Sequence, residues 1–142
     1  MPISIRRKLC VGAAMAGWIF SSHAQDIGSR WQLRVMDPTH TLKVEGIIRF
    51  AKEVETKSCM RGYWKRVLVE SRRLSDEAFF PLAEPLAYEV RQGELTFGRT
   101  QVCDGYLFLS GRSQGKKISG TFYSLGLGYN QSLGYFSLTK LP

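Results

Sequence analysis

The sequence predicts a small all-β protein, an antiparallel up-and-down β-barrel of about eight strands. Three observations lead there. Apolar and polar residues alternate with a period of two over most of the chain after residue 30, as in strands with one face on a core. Turn-forming glycine, proline and aspartate recur at short, regular spacing between those runs. The closing forty residues, Cys103–Pro142, hold three stretches rich in aromatic and β-branched residues, separated by glycine-rich turns.

The chain of 142 residues opens on a different pattern. Arg6, Arg7 and Lys8 precede Leu9–Phe20, a run of apolar and small residues, and Ser22-His23-Ala24 has the small–x–small form of a signal-peptidase site. This is the three-part layout of a secretory signal peptide. The run is shorter than the roughly 20 residues a membrane span needs. Residues 1–24 are therefore read as a cleaved signal and residues 25–142 as a single β-barrel domain. The protein is expected to be periplasmic or secreted, with no transmembrane segment after cleavage. Of 20 Lys+Arg against 12 Asp+Glu, the signal removes three cations, which leaves 17 against 12 and a net charge of +5. Cys10 leaves with it, and the remaining Cys59 and Cys103 are expected to form a disulfide in an oxidising compartment. On chain entropy that bridge contributes about 4 kcal/mol.

Trp31–Met36 alternates, with Trp31, Leu33 and Val35 on one face. Asp37–His40 is a turn. Thr41–Lys52 is the longest strand, placing Leu42, Val44, Ile48 and Phe50 on one face with Gly46, which marks a bend or bulge. Glu55–Arg61 is a polar connection containing Cys59. Gly62–Ser71 reads as a strand of ambiguous facing, because Tyr63, Val67 and Val69 compete with Trp64 and Leu68. Ser71–Pro85 reads as a long loop with one helical turn capped at Ser75 and stopped by Pro81 and Pro85.

The remaining turns set explicit registers. A two-residue turn at Gln92-Gly93 pairs Val90 with Leu95 and Tyr88 with Phe97, and closes on an Arg91–Glu94 ion pair. A three-residue turn Ser113-Gln114-Gly115 sets Arg112 against Lys116, Phe108 against Gly120 and Tyr106 against Phe122. A second hairpin centred near Tyr129, within a loop Leu125–Leu133, brings Phe122 opposite Phe136 and Gly120 opposite Leu138. The result is an aromatic column of Tyr106, Phe122 and Phe136. The choice of architecture lies between a calycin-like barrel and a two-sheet β-sandwich. Mid-strand glycines (Gly46, Gly98, Gly105, Gly120) and mostly short turns favour the barrel. Eight strands enclose an interior that side chains fill or that holds one small ligand. The expected filling is Trp31, Leu33, Val44, Phe50, Phe97, Phe108 and Phe122.

Catalytic chemistry has little to draw on. After the signal, His40 is the only histidine, in a turn beside Pro38, and no GxSxG elbow, HExxH, Walker loop or dinucleotide fingerprint occurs. The sequence offers no CxxC, so neither a metal nor a cofactor is expected. Asp104 and Glu84 are the acids a hydrolase would use, and Asp76-Glu77 reads as solvated charge. What stands out is a basic segment, Lys57, Arg61, Lys65, Arg66, Arg72 and Arg73, interleaved with Tyr63 and Trp64. Such a patch suits a protein or a phosphate-bearing envelope polymer, and export disfavours nucleic acid. Phe79-Phe80-Pro81 reads as a plug at one barrel end or as a partner hot spot, and Tyr129 as a presented loop tyrosine.

Ile118-Ser119-Gly120-Thr121-Phe122-Tyr123 is similar to the SGxxY signature of periplasmic inhibitors of C-type lysozyme, small β-barrels with a disulfide. The resemblance covers six residues, the family's second lysozyme-contacting motif has no counterpart, and a basic inhibitor would meet a basic enzyme. No membership is inferred. The expected function is that of an exported, non-enzymatic binding protein acting on a macromolecule, as an inhibitor, immunity or cell-envelope interaction protein. The alternative is a carrier of one small apolar ligand inside the barrel.

Overall fold

A computed structural model describes residues 28–142, so the signal-peptide reading of residues 1–24 lies outside the described residues. Eight strands form a closed antiparallel barrel in which each strand pairs with its sequence neighbours and β8 closes on β1. They are β1 (Arg30–Met36), β2 (Leu42–Glu55), β3 (Lys65–Ser75), β4 (Leu86–Arg91), β5 (Glu94–Arg99), β6 (Tyr106–Gln114), β7 (Lys117–Gly126) and β8 (Tyr129–Lys140). The sandwich alternative is excluded by the closure of β8 on β1.

The alternation of β1 and β2 does what the sequence implies. Leu33, Val35, Val44, Ile48 and Phe50 are buried in the interior. The Gly46 bulge is also present: the β2–β3 register slips between Glu45 and Gly46, and a Cβ on Gly46 would lie 2.6 Å from the Ser71 carbonyl oxygen. The β4–β5 hairpin keeps the expected register, Val90 to Leu95 and Tyr88 to Phe97. Its closing ion pair does not form. Arg91 turns to Glu89 at 3.3 Å, and Glu94 faces Arg112 at 3.7 Å across the β5–β6 seam. Alternate residues of a strand share a face, which brings Arg91 onto Glu89 rather than across the turn.

The closing meander corrects the sequence reading. The β6–β7 turn holds two residues, Gly115-Lys116, between Gln114 and Lys117, so Leu109 opposes Phe122 and Tyr106 opposes Leu125. That register differs from the expected one by three residues. Side chains alternate with a period of two, so an odd slip moves a residue to the other face. Phe122 and Phe136 point inward, while Tyr106 and Phe108 join a separate cluster on the outer wall with Trp64 and Ala87. The aromatic column is therefore not formed, and Phe108 does not fill the interior. Aromatic cover over glycine recurs with other partners: Phe136 opposes Gly120, and Phe108 opposes Gly98. Gly105 lies in the β5–β6 connection, not within a strand. The last hairpin turns at Leu127-Gly128, so Tyr129 begins β8 and the expected loop Leu125–Leu133 is mostly paired strand.

Two corrections concern β3. It starts at Lys65, later than expected, and runs to Ser75, because residues 71–75 pair with β2 where a loop was expected. Residues 76–85 contain turns and no helix. Asp76, not Ser75, holds the first turn: its carbonyl accepts from the Phe79 and Phe80 N–H groups, and its carboxylate from Phe79 N–H at 3.1 Å. This connection folds inward. Phe80 and Leu82 are buried in the core, and Phe79 and Phe80 meet Phe122 edge-on at 5.1 and 5.5 Å. Edge-on contact aligns a positive ring edge with a negative ring face. Phe97 links Phe50 and Phe136 in the same manner. Tyr88 fits because its hydroxyl donates to the Ala51 carbonyl at 2.7 Å. The interior is thus occupied by side chains, with the 79–82 segment as its plug.

Candidate functional site

In an up-and-down barrel, the β2–β3 and β5–β6 connections start from opposite ends. Here they are nevertheless joined, by the Cys59–Cys103 disulfide with a Cα–Cα distance of 5.4 Å. The β2–β3 connection, residues 56–64, folds back over the outer wall of β4–β6 as a strap. Its base is closed by Thr56 N–H donating to the Trp64 carbonyl at 3.1 Å. Its far end is fixed by the disulfide and by Cys59 N–H donating to the Thr100 carbonyl at 2.9 Å.

Trp64 is the anchor. Its ring stacks on Phe108 with centroids 5.7 Å apart, and Phe108 stacks in turn on Tyr106. Its indole N–H donates to the Arg61 carbonyl at 3.2 Å. The wall beneath is flat because Ala87 and Gly98 carry little or no side chain. A Cβ on Gly98 would lie 1.9 Å from the Leu107 carbonyl oxygen, and its φ of 155° favours glycine. Tyr123 borders this cluster, and burial, followed by the nearby Glu94 and Glu89 carboxylates, pushes its phenol pKa up.

The sequence candidates separate into three groups. Trp64 and Phe80 are buried and structural, and Phe79 is half-buried against the plug. Arg72 and Arg73, on the far part of β3, pair with Glu77 at 3.8 Å and Glu45 at 3.5 Å. The cations Lys57, Arg61, Lys65 and Arg66 have no carboxylate at ion-pair distance among the described residues. Beside them Tyr63 is 84 % exposed at the rim of a cleft of about 320 Å³ lined by Lys65, Glu89, Val90 and Arg91.

Tyr129 lies apart from this cleft, against the β5–β6 connection that carries Cys103. Its ring covers Gly126, its hydroxyl donates to the Asp104 carbonyl at 3.3 Å, and it remains 48 % exposed. Leu127, 81 % exposed, and the exposed Val102 lie on the same two connections. The sequence reading passed over both. Their signal was present as apolar residues at turn positions, where a soluble turn has no use for them. The strap and these loop tips therefore place unpaired cations and exposed apolar groups on either side of one disulfide.

The acids considered for hydrolysis do not converge. Glu84 pairs with Arg99 at 3.5 Å, and Asp104 is an exposed loop residue with φ of 60°. His40, also at positive φ, stacks on Tyr135 with centroids 4.6 Å apart. Among the described residues no group of three or more His, Cys, Asp or Glu is arranged to hold a metal ion. Likewise, no helix is long and apolar enough to cross a membrane. The Ser119–Tyr123 stretch lies within β7, with Phe122 in the core. Comparison with protein-family models, curated proteins and solved structures finds no match to this chain.

Proposed function

We propose that this protein is an exported, non-enzymatic β-barrel module that binds a macromolecular partner with an acidic face, as an inhibitor, immunity or envelope-interaction protein. One observation carries the reading: Lys57 and Arg61, without an ion-pair partner among the described residues, share with exposed Tyr63 a strap fixed by a disulfide and a buried tryptophan, and Lys65, equally unpaired, follows it at the start of β3. A rigid surface loses little entropy on binding, and aromatic and arginine side chains supply most hot spots. The signal-like first 24 residues and the disulfide support export. A filled interior gives the small-ligand carrier no support.

The test is cross-linking of the folded protein in periplasmic extract, comparing the natural chain with Arg61→Glu combined with Tyr63→Ser. Both residues are exposed, so folding is expected to be unchanged. The expected result is a species captured by the natural chain and absent with the variant. Identical captured sets for both proteins overturn the assignment of the surface.

A further inference from the structure

The barrel is closed, but its joints are unequal. β3 and β4 are paired only at Lys65–Tyr88, Arg66–Ala87 and Val67–Leu86. Continuing that register sets Leu68 opposite Pro85. Proline has no N–H to donate, so the ladder stops there. Beyond it β3 runs on from Leu68 to Ser75, bound to β2 on one side only. Among the described residues no backbone hydrogen bond joins this stretch to residues 76–86. The β2–β3 register also slips twice here, so β3 bulges at Glu70 and Arg73, and bulges bend a strand away from its neighbour. A cleft of about 340 Å³ opens along the seam, lined by Arg66 to Val69 and Arg72 on one side and Leu82 to Leu86 on the other.

An unpaired strand edge presents alternate N–H and C=O groups at the spacing of another strand. We infer that the β3 edge from Leu68 to Arg72 is a β-augmentation site for an extended acidic peptide segment of a partner protein. Backbone pairing supplies affinity in this mode, and flanking side chains supply selectivity. Charge selects the acidic segment. Among the described residues Arg66 has no carboxylate partner, and the Arg72–Glu77 pair, long at 3.8 Å and exposed on both sides, exchanges easily. The one carboxylate lining the cleft, Glu84, is engaged by Arg99. Self-pairing of two copies along this edge would bring Arg66 and Arg72 against their own kind, which is unfavourable. The site is separate from the strap surface of Arg61 and Tyr63, so the two assignments stand or fall independently.

The test uses the disulfide-bonded protein and a capped peptide of about eight residues alternating valine or threonine with glutamate. Amide hydrogen exchange and amide chemical shifts are followed up to about 1 mM peptide. The expected result is that edge-facing amides within Leu68–Arg72 exchange about tenfold more slowly, with shifts confined to β3 and residues 82–86. Arg66→Glu with Arg72→Glu is expected to weaken binding about tenfold or more and to leave the remaining amide spectrum unchanged. Arg61→Glu is expected to bind the peptide as the natural chain does. The inference is overturned by an unchanged exchange pattern, or by equal binding of a peptide N-methylated at alternate amides. It is also overturned by equal binding of a lysine-for-glutamate peptide, or by concentration-dependent protection of β3 without peptide, which would mean that a second copy fills the edge.

Discussion

Trp64 decides more about the outer surface than any other residue. It is 3 % exposed although it lies outside the barrel, because the strap, Phe108 and Ala87 enclose it. Truncating it to alanine removes a large buried ring from a site that relaxes only partly. Trp64→Ala is therefore expected to cost about 3–5 kcal/mol in urea unfolding, with the far-UV strand spectrum retained. Asp37 carries a different lesson. The Thr39 hydroxyl, then the Thr41 and Thr39 N–H groups and Lys43, hold its carboxyl below the ordinary value of 3.8 despite opposing desolvation. A carboxyl with a depressed folded pKa contributes stability above its unfolded pKa and loses it as pH falls through the folded value. Asp37→Asn is thus expected to lower the thermal midpoint at neutral pH. The difference should shrink below about pH 4, and an unchanged difference down to pH 2 would contradict it.

The informative elements are the strap and the closing meander. The disulfide closes a loop with a sequence separation of 44, for which chain entropy gives about 4 kcal/mol. Cys59→Ser with Cys103→Ser is expected to lose up to that amount and to raise protease cleavage within residues 56–64, while the β6–β8 amides stay protected. In the meander, backbone contact leaves no room for a side chain at Gly120, where a Cβ would lie 1.9 Å from the Ser110 carbonyl oxygen. Gly120→Val is expected to abolish folding, read as loss of dispersed amide signals. Gly115→Ala serves as a contrast: nothing lies near its Cβ, so only its φ of 67° carries a cost, about 1 kcal/mol. The meander was legible as three strands but not in register. A glycine at Gly115 suits a two-residue turn and a three-residue turn alike, and the choice between them turned Tyr106 and Phe108 outward.

For the molecule as a whole, barrel closure distributes stability unevenly. The β3–β4 joint rests on three residue pairs, against a continuous ladder from Tyr106–Leu125 to Gln114–Lys117 in β6–β7. Opening free energies should follow that difference. Amide exchange at the Arg66–Val67 joint is expected to be faster than at Leu109 and Phe122, and equal protection would show that the plug, not the ladder, holds the seam.

The sequence by itself determined the fold class, the long β2 strand with its Gly46 bend, the β4–β5 register and the pairing of Cys59 with Cys103. Each follows from local rules: period-two alternation, turn chemistry, and the two cysteines that remain once the signal-like segment with Cys10 is set aside. It also located the basic–aromatic segment. Only the tertiary structure decided which of those residues face outward, because outward is defined by the wall they lie on. Trp64 became an anchor, Phe80 a plug, and Arg72 and Arg73 members of ion pairs, which leaves Lys57, Arg61, Tyr63, Lys65 and Arg66 available. Leu127 and Val102 are exposed on the β7–β8 and β5–β6 connections, and the disulfide ties the latter to the strap, a link that no local pattern encodes.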